Sequence, residues 1–274
     1  MTGLMFGSGH WNWQRTAVVV AVGILRLRLS FASRSTTFAQ DDRLLDDDFE
    51  MTWVKICGMT NLEDALVAVE AGADAVGFVF YEKSPRCVSV EAARKIVEKL
   101  PERIDKIGVF VNDRPERVSR VADEAGLTAV QFHGDEYQRP SEYVVNRTAF
   151  FCLPVTEIVR EWRRGNVFVT FSGFPNLAGV LLDSGNREER GGTGKTFAWG
   201  EAYSFVSTVG KLHPVVVAGG LTPENVGWAV GSLKPWGVDV ASGVEVRPGK
   251  KDPEKVRAFV RAVREAEKID GFGG

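Results

Sequence analysis

From Trp53 onward β-branched and apolar residues gather in short runs: Trp53–Cys57, Ala75–Phe80, Lys106–Val111, Ala129–Phe132, Ala149–Leu153, Gly179–Asp183, Val215–Ala218 and Val238–Ala241. Runs of this length that do not alternate with polar residues are what parallel strands need when both faces are covered. Between them the period lengthens. In Asn61–Ala71, Leu62, Ala65, Leu66 and Val69 fall on one helical face and Glu63, Asp64 and Glu70 lie outside it. Gly72 follows where a C-capping glycine belongs. Val90–Lys99, Pro115–Ala125, Pro223–Gly231 and Pro253–Ala266 also read as helices, three of them opened by a proline near the first turn. Two more helices are expected within Asp135–Arg147 and Thr156–Arg164, and Val155–Ala178 is the stretch hardest to divide.

Strands alternating with helices predict an α/β protein with a parallel sheet. Eight strand starts spaced about 26 residues apart fit a compact (β/α)8 TIM barrel forming a single domain. The alternative, an open doubly wound sheet, lacks its GxGxxG signature after the first strand. Residues 1–50 stand outside this pattern. They carry no acidic residue or lysine as far as Ala39, then six acidic residues between Asp41 and Glu50. The apolar run Ala17–Leu25 is far shorter than the roughly 20 residues of a membrane span. The segment reads as a disordered extension ahead of a start at Met51, with a targeting segment as the other reading. The expected organisation is therefore an extension over 1–50, a catalytic barrel over 51–269 and a tail over 270–274.

Charge narrows the partners. With 34 basic against 36 acidic side chains the net charge is −2, so no basic excess favours nucleic acid. Three cysteines, Cys57, Cys87 and Cys152, make neither a disulfide framework nor a CxxC pair, which points to a reducing, cytoplasmic setting without structural zinc. A small molecule is the expected partner, with no membrane. A monomer is the expected state, and a dimer stays open.

In a barrel the chemistry sits at the carboxyl ends of the strands. The first strand ends at Cys57-Gly58 and the sixth at Asp183, so a thiol and a carboxyl face one mouth. Such a pair can divide proton transfer, one group protonating a leaving oxygen while the other takes a proton from carbon. Taken alone, a free cysteine is more often a small buried hydrophobe. The seventh and eighth strands end in Ala218-Gly219-Gly220-Leu221 and Ala241-Ser242-Gly243-Val244-Glu245, loops whose backbone N–H groups can approach a phosphate. Gly191-Gly192-Thr193-Gly194-Lys195-Thr196 only superficially resembles a P-loop, because Arg190 stands where the upstream glycine is needed. It reads better as a mobile active-site loop offering Lys195 to an anion.

Lys55-Ile56-Cys57-Gly58, the Thr60-Asn61 helix opening, Gly77-Phe78-Val79-Phe80, Ser84-Pro85-Arg86, Gly108-Val109-Phe110-Val111-Asn112 and Val130-Gln131-Phe132-His133-Gly134 occur in this order. Leu182-Asp183-Ser184, the Gly191–Phe197 block, Ala218-Gly219-Gly220-Leu221, Ser242-Gly243-Val244-Glu245 and Pro248-Gly249-Lys250-Lys251-Asp252 follow. Together they resemble the phosphoribosylanthranilate isomerase family of tryptophan biosynthesis. The resemblance implies an Amadori rearrangement of N-(5-phosphoribosyl)anthranilate to 1-(2-carboxyphenylamino)-1-deoxyribulose 5-phosphate. It implies Asp183 as general acid and Cys57 as general base, with neither a metal nor an organic cofactor. It also sets Arg86 against the anthranilate carboxylate and the phosphate on Gly219, Gly220, Ser242 and Gly243. His133 matches a family block, and a positioning role for it is as good a reading as a chemical one. His213 is assigned no function, and Trp162, Trp228 and Trp236 are read as packing residues.

Two other readings compete. The aminoimidazole-carboxamide ribotide isomerase of histidine synthesis normally uses two aspartates, and Cys57 argues against it. A non-catalytic ligand-binding barrel is disfavoured by the presence of both Cys57 and Asp183.

Overall fold

Eight parallel strands close on themselves in chain order: β1 (Trp53–Cys57), β2 (Ala75–Val79), β3 (Asp105–Phe110), β4 (Ala129–Phe132), β5 (Thr148–Pro154), β6 (Leu177–Asp183), β7 (Val215–Val217) and β8 (Gly237–Val240). The closing pair is β1 with β8, Trp53 opposite Gly237 and Ile56 opposite Val240. This computed structural model describes residues 51–143, 145–164, 176–184 and 199–270. The expected extension, the Gly191–Phe197 block with Lys195, and most of the expected tail lie outside them. Every strand expected from the sequence is present to within two residues at either end.

The runs are mostly apolar because each strand packs on both faces. Val54, Ile56, Val76, Phe78, Val130, Phe132, Val180, Leu182, Val215 and Val217 point outward into one core beneath the helices. Ala75, Ile107, Ala129, Phe150, Leu181 and Val216 fill the barrel interior, floored by Trp53, which stacks on Trp236 and Phe150 with ring centroids 5.1 and 5.7 Å away. Trp236 is thus the packing residue expected, whereas Trp228 is 54% exposed.

Seven α-helices lie among the described residues: α1 (Leu62–Ala71), α2 (Val90–Val97), α3 (Pro115–Ala125), α4 (Val155–Arg163), α5 (Trp199–Val209), α6 (Val226–Leu233) and α7 (Pro253–Asp270). Local chemistry sets their ends. The Asn61 side chain accepts from the Asp64 N–H at 2.9 Å to cap α1, which stops at Gly72, and the Ser89 hydroxyl caps α2 in the same way.

Three features differ from the sequence pattern. The helix expected within Asp135–Arg147 is two 3₁₀ turns, Glu136–Gln138 and Pro140–Glu142. Pro140 disfavours helical backbone at Arg139, and the Glu136 carboxylate is taken up by the Asn112 and Gly134 N–H groups. The helix expected from Pro223 begins at Val226, because the Asn225 side chain accepts from the Thr222 N–H and donates to the Gly220 carbonyl, folding that stretch into a turn. Helix α5 was not signalled: its buried Ala202, Phe205 and Val206 are accompanied by exposed Tyr203, which blurs the apolar face.

At the floor, burial pushes the Asp105 carboxyl up to about 6, against hydrogen bonds from Thr128 and Trp53. Between the unfolded value near 3.9 and about 6, the folded protein holds a proton that the unfolded chain has released. Stability therefore falls as pH rises through that window, by on the order of 3 kcal/mol. Asp105→Asn is expected to stabilise the protein by about 1–3 kcal/mol at pH 7.5 and to flatten this slope. Urea unfolding at pH 4.5 and 7.5 reads both effects, and an unchanged slope in the variant would contradict the assignment.

Candidate active site

Each of the eight candidate residues lies at the carboxyl end of a strand or in the loop that follows. Cys57 ends β1 and Asp183 ends β6, three strands apart round the ring. Arg86 is in the β2–α2 loop, His133 directly follows β4, Gly219 and Gly220 follow β7, and Ser242 and Gly243 follow β8. His213 sits just ahead of β7, at the opposite end of that strand, where burial lowers its pKa.

Cys57 is a buried free cysteine packed with Val79 and Val109. Below it Lys55 is almost fully buried, with Nζ 2.8 Å from Gln131 Oε1 and 3.0 Å from Asp239 Oδ1. Burial alone would pull the ammonium down. The Asp239 carboxylate and the neighbouring Cys57 overcome this and hold Lys55 above its ordinary value. Gly77 on the adjacent strand makes room for both side chains, since a Cβ there would sit 2.6 Å from Cys57 Sγ and 3.1 Å from Lys55 Cε.

Asp183 is buried, and His133 Nε2 lies 3.4 Å from its Oδ2 and 3.5 Å from the buried Cys152 Sγ. The other ring nitrogen, Nδ1, is 2.9 Å from Gln131 Nε2. A polar chain therefore crosses the barrel interior from Asp183 through His133 and Gln131 to Lys55, where it meets Asp239 and Cys57. His133, Cys152 and Asp183 bring ligand-type atoms within 4.8 Å of one another, donors that a divalent cation could use, and here they face one another directly. Burial pushes the Cys152 thiol up, so the proton stays on sulfur.

Arg86 is held by Glu245, with Nε 2.9 Å from Oε1 and Nη2 2.7 Å from Oε2. Lys251 Nζ reaches the same carboxylate at 2.9 Å. Desolvation would raise Glu245, and the two cations outweigh it and hold the carboxyl below its usual value. Burial pulls the Lys251 ammonium below its ordinary value, and the Glu245 carboxylate works against that. The aliphatic stem of Arg86 lies over Gly58, whose φ is +82° and whose missing Cβ would meet Arg86 Cδ at 2.7 Å. Only glycine satisfies both conditions.

In the loops after β7 and β8, the N–H groups of Gly219, Gly220, Ser242 and Gly243 have no hydrogen-bond partner among the described residues. Ser242 and Gly243 open a 3₁₀ turn, so their N–H groups have none within the turn either. Four donors without a partner among the described residues, on two adjacent loops, suit an anion.

Sequence reasoning did not single out Lys55, Gln131, Asp239, Cys152 or Glu245. Lys55, Gln131 and Asp239 each interrupt an otherwise apolar buried strand, and that was a usable signal.

The family model described as N-(5′-phosphoribosyl)anthranilate (PRA) isomerase matches residues 54–262. The N-(5′-phosphoribosyl)anthranilate isomerase of Citrifermentans bemidjiense is 46% identical over 220 residues, which cover 80% of this chain and 98% of that protein. That of Pseudomonas fluorescens is 44% identical over 214 residues, covering 77% and 97%. The crystal structure of phosphoribosyl anthranilate isomerase from Thermotoga maritima superposes with a TM-score of 0.67 at 41% identity, covering 78% of this chain and all of the other. A further solved isomerase, in complex with reduced 1-(o-carboxyphenylamino)-1-deoxyribulose 5-phosphate, matches with a TM-score of 0.66 at 39% identity, with coverage of 78% and 100%. With a closed eight-stranded barrel and matches running through nearly the whole length of these relatives, the chain belongs to the N-(5′-phosphoribosyl)anthranilate isomerase family.

Proposed function

We propose that the protein catalyses the Amadori rearrangement of N-(5-phosphoribosyl)anthranilate to 1-(2-carboxyphenylamino)-1-deoxyribulose 5-phosphate, a step of tryptophan biosynthesis. The observation that carries this reading is the meeting of Cys57 and Asp183 at one mouth, with the Arg86 guanidinium beside it and N–H donors in the loops after β7 and β8 that have no partner among the described residues. The substrate has a carboxylate at one end and a phosphate at the other, and the site offers a counterpart to each.

Asp183 protonates the ribose ring oxygen, and the ring opens to an iminium between C1 and the anthranilate nitrogen. Cys57 then takes the proton from C2, and the electron pair moves toward the iminium to give an enolamine. Tautomerisation to the ketone carries a proton to C1, so the product is an isomer of the substrate. The iminium draws the electrons itself, and no metal or cofactor is required. Lys55 places a positive charge beside the Cys57 sulfur. Arg86 has five N–H donors and Glu245 takes two of them, leaving the rest of the fork for the substrate carboxylate. The phosphate rests on the N–H groups of Gly219, Gly220, Ser242 and Gly243.

Gly58→Ala tests the Arg86 corner. Forcing a Cβ at positive φ against the guanidinium stem is expected to cost about 1–3 kcal/mol of stability and to raise KM more than it lowers kcat. An unchanged KM in the folded variant would remove Arg86 from substrate binding. For the function as a whole, a bacterial strain that needs tryptophan because it lacks this isomerase should grow without it when the chain is expressed. Rescue of a histidine-requiring strain lacking the ribotide isomerase, without rescue of the first strain, would overturn the reading.

A further inference from the structure

We propose that Lys55, acting through the Gln131 side chain, fixes His133 as the neutral tautomer protonated on Nε2, so that Asp183 receives a hydrogen bond from His133 without a positive charge. An ammonium only donates, so the Gln131 atom 2.8 Å from Lys55 Nζ is the amide oxygen. That sets the direction of the amide. Its NH2 end then faces His133 Nδ1 at 2.9 Å and must donate to it. A nitrogen that accepts cannot also carry a proton along the same line, so the ring proton is on Nε2. Nε2 faces Asp183 Oδ2 at 3.4 Å and Cys152 Sγ at 3.5 Å.

Burial works against charge on His133, while Cys152 and Asp183 counted as anions would raise its pKa well above the ordinary value. Burial keeps Cys152 a thiol, which removes the larger of those two influences. A second proton would also have to sit on Nδ1, against the Gln131 N–H. The remaining charged neighbours do not relieve that conflict. Lys55 and Asp239 offset each other on the far side of Gln131, Cys57 lies beyond Lys55, and Glu136 is turned onto the Asn112 and Gly134 N–H groups. The same arrangement opposes a metal on Nε2, because a metallated imidazole puts its proton on Nδ1.

The consequence rests on Asp183 being the acid. An imidazolium at 3.4 Å would stabilise the carboxylate and weaken the acid, whereas a neutral N–H donor orients the carboxyl and leaves its proton available. Gln131 and Lys55 are positioning residues in this scheme, and neither needs to touch the substrate.

Nitrogen-15 spectra of the labelled imidazole rings at pH 7.5 test the tautomer directly, without reference to activity. His133 in the wild type is expected to show a protonated Nε2 and an unprotonated Nδ1. A protonated Nδ1 would overturn the proposal. Gln131→Glu places an acceptor opposite Nδ1 while still pairing with Lys55, and the spectrum should then show protons on both nitrogens. In that variant kcat is expected to fall by about tenfold or more with KM little changed. The basic limb of the kcat profile, where the acid loses its proton, should move to lower pH. Gln131→Met keeps the volume without a donor and should let Nδ1 titrate. If Gln131→Glu charges the ring but the basic limb stays put, the link from His133 to Asp183 is wrong. If neither wild type nor variant turns over the substrate while the wild-type tautomer is as expected, the hydrogen-bond scheme stands and the proposed function, with Asp183 as its acid, fails.

Discussion

Cys57→Ala is expected to lose turnover by about two to four orders of magnitude while remaining folded. The thiol packs with Val79 and Val109 at the rim of the barrel, so removing one sulfur should cost only about 1 kcal/mol of stability. What it should abolish is the transfer of the C2 proton, because no other group of the described β1 end can take it. Cys57→Ser is the sharper variant. It keeps the shape and puts in place of the thiol a hydroxyl far harder to ionise, so it should fail nearly as badly. Thermal melts together with steady-state rates check both variants. A Cys57→Ser protein with normal kcat would remove Cys57 as the base.

Asp183→Asn is expected to cost a similar factor for the opposite reason. The amide matches the carboxyl in shape and can still accept from His133 Nε2 at the 3.4 Å contact, so the site should keep its architecture. It has no acidic proton to give the ring oxygen. Loss should therefore appear in kcat, about 10²–10⁴-fold, with KM changed little, as for an interaction made only in the transition state. A variant that lost affinity and kept kcat would make Asp183 a binding residue. The two substitutions should also be far from additive, since a site without its base gains little from keeping its acid.

Much of this was legible in the chain itself. Both catalytic candidates could be found because a barrel brings strand ends to one mouth, and Val54-Lys55-Ile56-Cys57 and Val180-Leu181-Leu182-Asp183 show where two strands end. The glycines after β7 and β8 marked two candidate anion loops in the same way. The interior network was half visible. Lys55, Gln131 and Asp239 each interrupt an apolar strand, but linear spacing does not show that side chains from β1, β4 and β8 meet inside a closed barrel. The family resemblance set Arg86 against a substrate carboxylate, whereas its engagement by Glu245, 159 positions away, depends on the hairpin Glu245–Arg247 with Lys250–Lys251 that no periodicity announces. The missing helix after β4 turns on one proline and on a glutamate drawn to backbone N–H groups, tertiary effects that outweigh a helical pattern.

The most direct measurement is turnover of N-(5-phosphoribosyl)anthranilate, generated in place from anthranilate and phosphoribosyl pyrophosphate and followed by its loss of fluorescence. The wild-type chain should consume it well above the rate of spontaneous hydrolysis and yield a product of the same mass. A folded protein that leaves the substrate to decay at the uncatalysed rate would contradict the account.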